Sequence, residues 1–125
     1  MSGVTLDAGA LIAFERGRRD VDLILDRAVA TDVRISIPAG ALAQVWRDGA
    51  RQARLARLLE GDHVDVVALD DRTARAIGQI CRATGATDVV DISVVLCARM
   101  RRQAVVTSDP GDLLRIDPEM KVVTV

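Results

Sequence analysis

Short β-branched runs alternate along the chain with stretches whose apolar side chains recur every three or four positions, the pattern of a parallel-sheet α/β domain. Residues 3–7 read as a first strand, followed by a helix from about Ala8 to Glu15. Gly17 separates it from a second helix, about Asp20 to Thr31, whose Val21, Ile24, Leu25 and Ala28 share one face. The run VRISI, Val33 to Ile37, predicts a second strand, and Pro38 then opens a helix through Ala41, Leu42, Val45 and Trp46 that ends near Gly49. A helix from Arg51 to Glu60 turns Leu55, Leu58 and Leu59 inward and leads through Gly61 to the strand HVDVVAL. Asp70 and Asp71 start a helix of about Arg72 to Thr84 that stops at Gly85. The most apolar helix follows, about Val89 to Met100, then the strand AVVTS, a short helix opened by Asp109 and Pro110, and the closing strand MKVVTV. The expectation is an α/β fold with a central parallel sheet of four to five strands and helices on both faces.

The 125 residues fit a single domain, 1–125, large enough to bury a core without disulfide or metal staples. Half of them are apolar, yet no uncharged apolar run approaches the ~20 residues that span a bilayer. A cytoplasmic protein without membrane contact is expected. Cys81 and Cys97 lie in apolar helical patterns and match no paired metal-ligand spacing, so both read as buried free thiols. A net charge of −1 excludes a polybasic binder held to nucleic acid by its overall field.

Any RNA contact must therefore be local, and the arginines do cluster. Arg16, Arg18 and Arg19 follow the first helix; Arg47, Arg51 and Arg54 recur at i, i+4 and i+7, a spacing that stacks them on one helical face; Arg99, Arg101 and Arg102 form a third group. Taken singly, each group reads as a solvated helix end or face; beside an acidic metal site it reads as a phosphate-positioning patch.

Three aspartates carry the chemistry. Asp7 and Asp109 end strand patterns, and Asp91 lies one turn into the apolar helix, so all three can face the cleft at the carboxyl ends of the strands. Capping is the competing role: Asp7 as a helix N-cap, Asp109 with Pro110 and Asp112 as a cap with an acid at N3, and Asp88 with Asp91 as a capping box. For Asp91 capping explains less. Its helix is apolar nearly all round, and an ionised carboxylate buried there is costly unless a cation or several donors meet it.

The segments VTLDAGALIA, IPAGALAQVW, DVVDISVVLCAR and VVTSDPGDL together resemble the PIN-domain family, and more narrowly the VapC-type ribonuclease toxins of bacterial type II toxin–antitoxin pairs. The likeness covers nearly the whole chain. It implies a PIN-like fold and metal-binding catalytic carboxylates at Asp7, Asp91 and Asp109, with Asp112 and Asp88 as auxiliary acids and Thr107 and Ser108 in support. It also implies a Mg²⁺ or Mn²⁺ cofactor, an RNA substrate hydrolysed by activated water, a VapB-type antitoxin as partner, and a homodimer joined through the early helices. One departure stands out. The family places a glutamate in the helix after the second strand, and Gln44 occupies that position here, offering a neutral carbonyl in place of a carboxylate. Asp48, one turn on, is a candidate substitute from the same face.

Other classes fit less well. His63, the one histidine, opens a strand pattern far from both cysteines. A receiver domain needs a lysine after its last core strands, whereas Lys121 precedes a terminal strand. A haloacid-dehalogenase-like phosphatase needs an aspartate at position 9, where Gly9 stands. The alternative from a different class is a PIN-fold module, catalytically weak or inactive because of Gln44, that binds RNA or protein.

Overall fold

The computed structural model describes residues 3–125. Its elements run β1 (Gly3–Leu6), α1 (Ala8–Glu15), α2 (Arg19–Ala30), β2 (Arg34–Pro38), α3 (Ala39–Val45), α4 (Ala53–Leu59), β3 (Val64–Val67), α5 (Asp71–Thr84), α6 (Val89–Arg101), β4 (Ala104–Thr107), α7 (Pro110–Ile116) and β5 (Val122–Thr124). The five strands form one sheet in the order β3-β2-β1-β4-β5, and every pairing is parallel. The expected architecture is therefore observed.

Alternation along the strands divides the core in two. Val4, Leu6, Ile35, Ile37 and Val106 pack with α1, α2 and α4 on one face. Val105 turns the other way, toward Ile77 of α5, Ile92, Val95 and Ala98 of α6, and Leu113 of α7. The helix α6 is the apolar centre of that second layer, with six consecutive or near-consecutive residues buried from Ile92 to Ala98, and this explains why its sequence carries so little amphipathic contrast. Between the layers sits a polar contact. The Thr5 hydroxyl donates to Gln103 Oε1 at 2.8 Å and lies 4.0 Å from Cys97 Sγ. Both cysteines are free thiols, Cys97 buried and Cys81 half-buried.

The chain steps outward from β1 to β2 to β3, then returns through α5 and α6 to the opposite side of β1, where β4 pairs. The strand order thus reverses between β1 and β4, the kind of switch point at whose carboxyl strand ends open α/β sheets bind ligands.

Several boundaries differ from those the pattern predicts. Pro38 is the last residue of β2, paired with Val67, and the helix begins one residue later at Ala39. Proline is admissible there because its missing N–H falls at the strand end. The predicted helix from Arg51 starts at Ala53, and α3 stops at Val45. The Gln52 side chain is the cause: its Oε1 accepts the amides of Arg47 and Asp48 at 2.7 and 2.9 Å, while its amide nitrogen donates to the Val45 carbonyl at 2.9 Å. Among the described residues no helix is long and apolar enough to cross a membrane.

Candidate functional site: an acidic cleft at the strand crossover

Asp7 leaves β1 and caps α1. Its Oδ1 accepts the Ala10 amide at 2.8 Å, and its own amide donates to the Val106 carbonyl at 3.3 Å, which ties the residue to the neighbouring strand. Only 9% of the residue is exposed. That burial pushes its pKa up, Asp109 adds repulsion, and the Thr107 hydroxyl and the Ala10 amide pull it partly back by hydrogen bonding.

On the adjacent strand, β4 ends at Thr107, and Asp109 stands at the N-cap position of α7. Capping sufficed to explain Asp109 from sequence, but its carboxylate makes no cap hydrogen bond. Instead its amide donates to Thr107 Oγ1 at 3.0 Å and the side chain is exposed to the cleft's solvent. Thr107, fully buried, thereby links the two strand-end aspartates, since the same hydroxyl serves the Asp7 carboxylate.

Asp91 enters from α6. The N-cap Asp88 accepts the Asp91 amide at 3.0 Å, so the predicted half of a capping box is present and fixes Asp91 one turn into the helix. Asp91 is half-buried, and desolvation followed by repulsion from Asp88, Asp112, Asp7 and Asp109 pushes its pKa up to about 6. Four carboxylates from three separate segments thus act on one. Asp7, Asp88, Asp109 and Asp112 therefore surround Asp91 at a range where their charges are felt, but among the described residues no three of these side chains are grouped closely enough to hold a metal ion; Thr107 is buried and Ser108 exposed beside them. Asp112 is paired with Arg115 at 3.1 Å.

Gln44 lies near the end of α3 and is exposed. It is one turn from Gly40, whose missing Cβ would point at Val90 and Ser93 of α6 at 3.6 Å, so it belongs to the α6-facing side of α3. Asp48 does not continue that face. It sits beyond the helix in a turn, its Oδ1 accepting the Ala50 amide at 3.0 Å.

The arginine stripe is not formed. Arg47 and Arg51 lie in the α3–α4 connection and only Arg54 is helical. Arg47 donates to the carbonyls of Ala43 and Trp46 at 3.1 and 2.6 Å. Arg54 donates to the Phe14 carbonyl at 3.1 Å and to Asp22 at 2.8 Å, and its guanidinium lies 4.4 Å from the Phe14 ring centre. Arg16 and Arg51 are exposed, and Arg51 has a loose contact with Asp48 at 3.8 Å. In the third group Arg99 pairs with Asp117 and Arg101 with Asp65. His63 lies outside the cleft, against Asp32 at 3.0 Å.

Two residues at the cleft escape sequence reasoning. A Cβ on Gly9 would lie 2.2 Å from Ser108 Oγ, so glycine lets the turn after β4 press against the start of α1. Arg115 reaches the cleft from the last turn of α7; its signal is the D-x-x-R spacing that returns it to Asp112. A separate concavity of about 380 Å³, largely apolar, runs between Pro38, Leu69, Leu96 and Met100. It contains none of the cleft aspartates.

No family model and no curated protein sequence matches the chain. Solved structures do. A chain of the VapBC2 complex from Rickettsia felis, crystallised with a DNA fragment from its promoter, aligns with a TM-score of 0.74 at 14% identity over 98% of both chains. A toxin–antitoxin complex from Klebsiella pneumoniae gives 0.71 at 17% identity, covering 98% of this chain and 97% of that one. FitAcB from Neisseria gonorrhoeae gives 0.60 at 21% identity, with 97% and 96% covered. At these identities the likeness is one of fold, and it makes the sheet and its seven helices a PIN-like α/β fold.

Proposed function

We propose that this chain is a metal-dependent endoribonuclease and the toxin of a type II toxin–antitoxin pair. The observation that supports this most is the convergence on Asp91: carboxylates from the ends of β1 and β4 and from the starts of α6 and α7 repel it together at the strand crossover. At neutral pH such an arrangement costs stability that a bound counter-charge would restore.

The donors fit Mg²⁺ or Mn²⁺, since all are oxygen atoms suited to a hard cation. Among the described residues no three His, Cys, Asp or Glu side chains are grouped closely enough to form a ready-made metal cage. An entering cation would therefore have to draw the carboxylates together. Asp7, Asp91 and Asp109 would hold the ion, which when bound supplies Lewis-acid stabilisation of the scissile phosphate and lowers the pKa of water. The remaining roles belong to the protein. Thr107 keeps Asp7 oriented and ionisable through its hydrogen bond, Asp88 fixes the α6 turn that presents Asp91, and Gly9 allows Ser108 to close the rim.

The partners follow the same reading: an RNA substrate, a small VapB-type antitoxin that covers the cleft, and a second copy of the chain. Apolar residues for the last contact are exposed on α2, where Leu23 is 57% and Val29 50% accessible. A second reading, an RNA- or protein-binding module with weak or no catalysis, is favoured by Gln44 and by the lack of a preformed cage.

Cleavage of total bacterial RNA by the purified chain with Mg²⁺ or Mn²⁺ decides between them. A ribonuclease loses activity with chelator and in Asp91→Asn, and leaves 5′-phosphate and 3′-hydroxyl ends. Cyclic 2′,3′-phosphate ends would refute the mechanism, and silence of both the native chain and Gln44→Glu on the same RNA would favour the module.

A further inference from the structure

A cavity of about 360 Å³ opens between the α5–α6 connection and α7, with Asp88, Asp91, Asp112 and Arg115 on its walls. Arg115 is its basic side chain. It projects from the last turn of α7, is 81% exposed, and donates from Nη1 to Asp112 Oδ1 at 3.1 Å.

That pairing is easily exchanged. An exposed ion pair one turn apart on a helix contributes little, because water screens it and two side chains must be held in place. A phosphodiester can offer the planar guanidinium fork two oxygens of one phosphate, in place of the one Asp112 oxygen it meets here. Two other arginines with carboxylate partners are more firmly engaged. Arg54 holds a carbonyl, a carboxylate and an aromatic ring together, and Arg34 makes three hydrogen bonds to Asp62 and Asp65. Arg115 therefore combines position beside the carboxylates with a guanidinium that has little to lose.

We propose that Arg115 is a positioning residue that leaves Asp112 to bind a phosphate of the RNA strand next to the scissile bond. This rests on the ribonuclease reading. The exchange also gives the acidic cleft a way to admit a polyanion: the strand meets a cation on the α7 side before it meets the carboxylates.

The test is RNA binding, read by fluorescence anisotropy with a labelled single-stranded RNA and Mg²⁺ over a series of salt concentrations. Asp109→Asn protein, slowed in cleavage, is compared with the same protein carrying Arg115→Ala or Arg115→Lys. The alanine variant should bind about tenfold more weakly, as expected for loss of a charge-assisted hydrogen bond, and its salt slope should fall by about 0.7, one phosphate contact on a single strand. Lysine should restore the slope and part of the affinity, which a merely structural role would not predict. Equal affinity and slope for arginine and alanine overturn the proposal. Absence of RNA binding even with Arg115 intact overturns the ribonuclease reading itself, and Arg115's role falls with it.

Discussion

The fully buried hydroxyl of Thr107 donates to the carboxylate of Asp7, the residue that leaves the adjacent strand β1. This hydrogen bond stabilises the ionised form of the acid and opposes the burial that raises its pKa. Thr107→Val keeps the shape and removes the donor, so the Asp7 pKa should rise further and the pH profile of cleavage should shift to higher pH. Folding stability should fall by about 1–2 kcal/mol, the cost of losing a buried hydrogen bond. Thr107→Ser should retain the profile. An unchanged pH profile in the valine variant would show that the hydroxyl does not offset the effect of burial on Asp7.

Asp91 predicts an unusual pH dependence of stability. Its folded pKa, about 6, is above the ordinary 3.8, so the fold prefers the proton. The associated stabilisation is complete below pH 3.8 and disappears as pH rises through 6. Asp91→Asn, which stays neutral, should therefore stabilise the cation-free protein at pH 7 by about 1 kcal/mol once solvent screening is allowed for, and have no such effect near pH 4. Thermal melts at the two pH values in chelator measure this. Adding Mg²⁺ should raise the melting temperature of the native chain at pH 7 and not that of the variant, because the ion replaces the proton as counter-charge.

How far the sequence reveals this site depends on which forces are local. Period-two and period-three-to-four patterns report burial, and they placed all five strands and seven helices. Asp88 and Asp7 were legible as caps because capping involves only neighbours three residues away. Asp109 looked equally like a cap, yet its amide is satisfied by Thr107 and its carboxylate makes no cap bond, a choice made by the β4–α7 turn. The arginine stripe failed for a similar reason. Helical spacing from Arg47 to Arg54 is an argument only if the helix is continuous, and Gln52 interrupts it by folding back on the amides of Arg47 and Asp48. Gly9 was invisible because its partner, Ser108, is distant in sequence and adjacent only once β1 and β4 pair.

The Arg54 contacts give a prediction opposite to the one its spacing suggested. Arg54 joins α4 to α1 and α2 through Phe14 and Asp22. Arg54→Ala should destabilise the fold by about 1–2 kcal/mol through the lost ion pair and cation–π contact, while leaving RNA affinity of the folded protein within twofold, roughly the effect of a residue making no phosphate contact. Denaturant unfolding and RNA binding, measured on the same preparation, separate the two. A large loss of RNA affinity with unchanged stability would restore Arg54 to the nucleic-acid surface.

Gln44→Glu tests the departure from the family pattern most directly. Gln44 is exposed on the side of α3 that faces α6, so a carboxylate there adds negative potential to the cleft without displacing a packed neighbour. Because the position is exposed, the dielectric is close to that of water, about 80, and at a separation of several ångströms one added charge is worth about 1–2 kcal/mol to a bound divalent ion, roughly a tenfold gain in its affinity. Two consequences should appear together: tighter Mn²⁺ binding by calorimetry and faster RNA cleavage at limiting Mn²⁺. In the cation-free protein the same substitution should raise the Asp91 pKa further, because another like charge opposes its ionisation. Tighter Mn²⁺ binding without faster cleavage would mean that the cleft holds an ion but lacks another element of catalysis, which is the outcome expected of a binding module. If neither changes, α3 stands too far from the carboxylates to belong to their site, and Gln44 is then a surface residue with no bearing on activity.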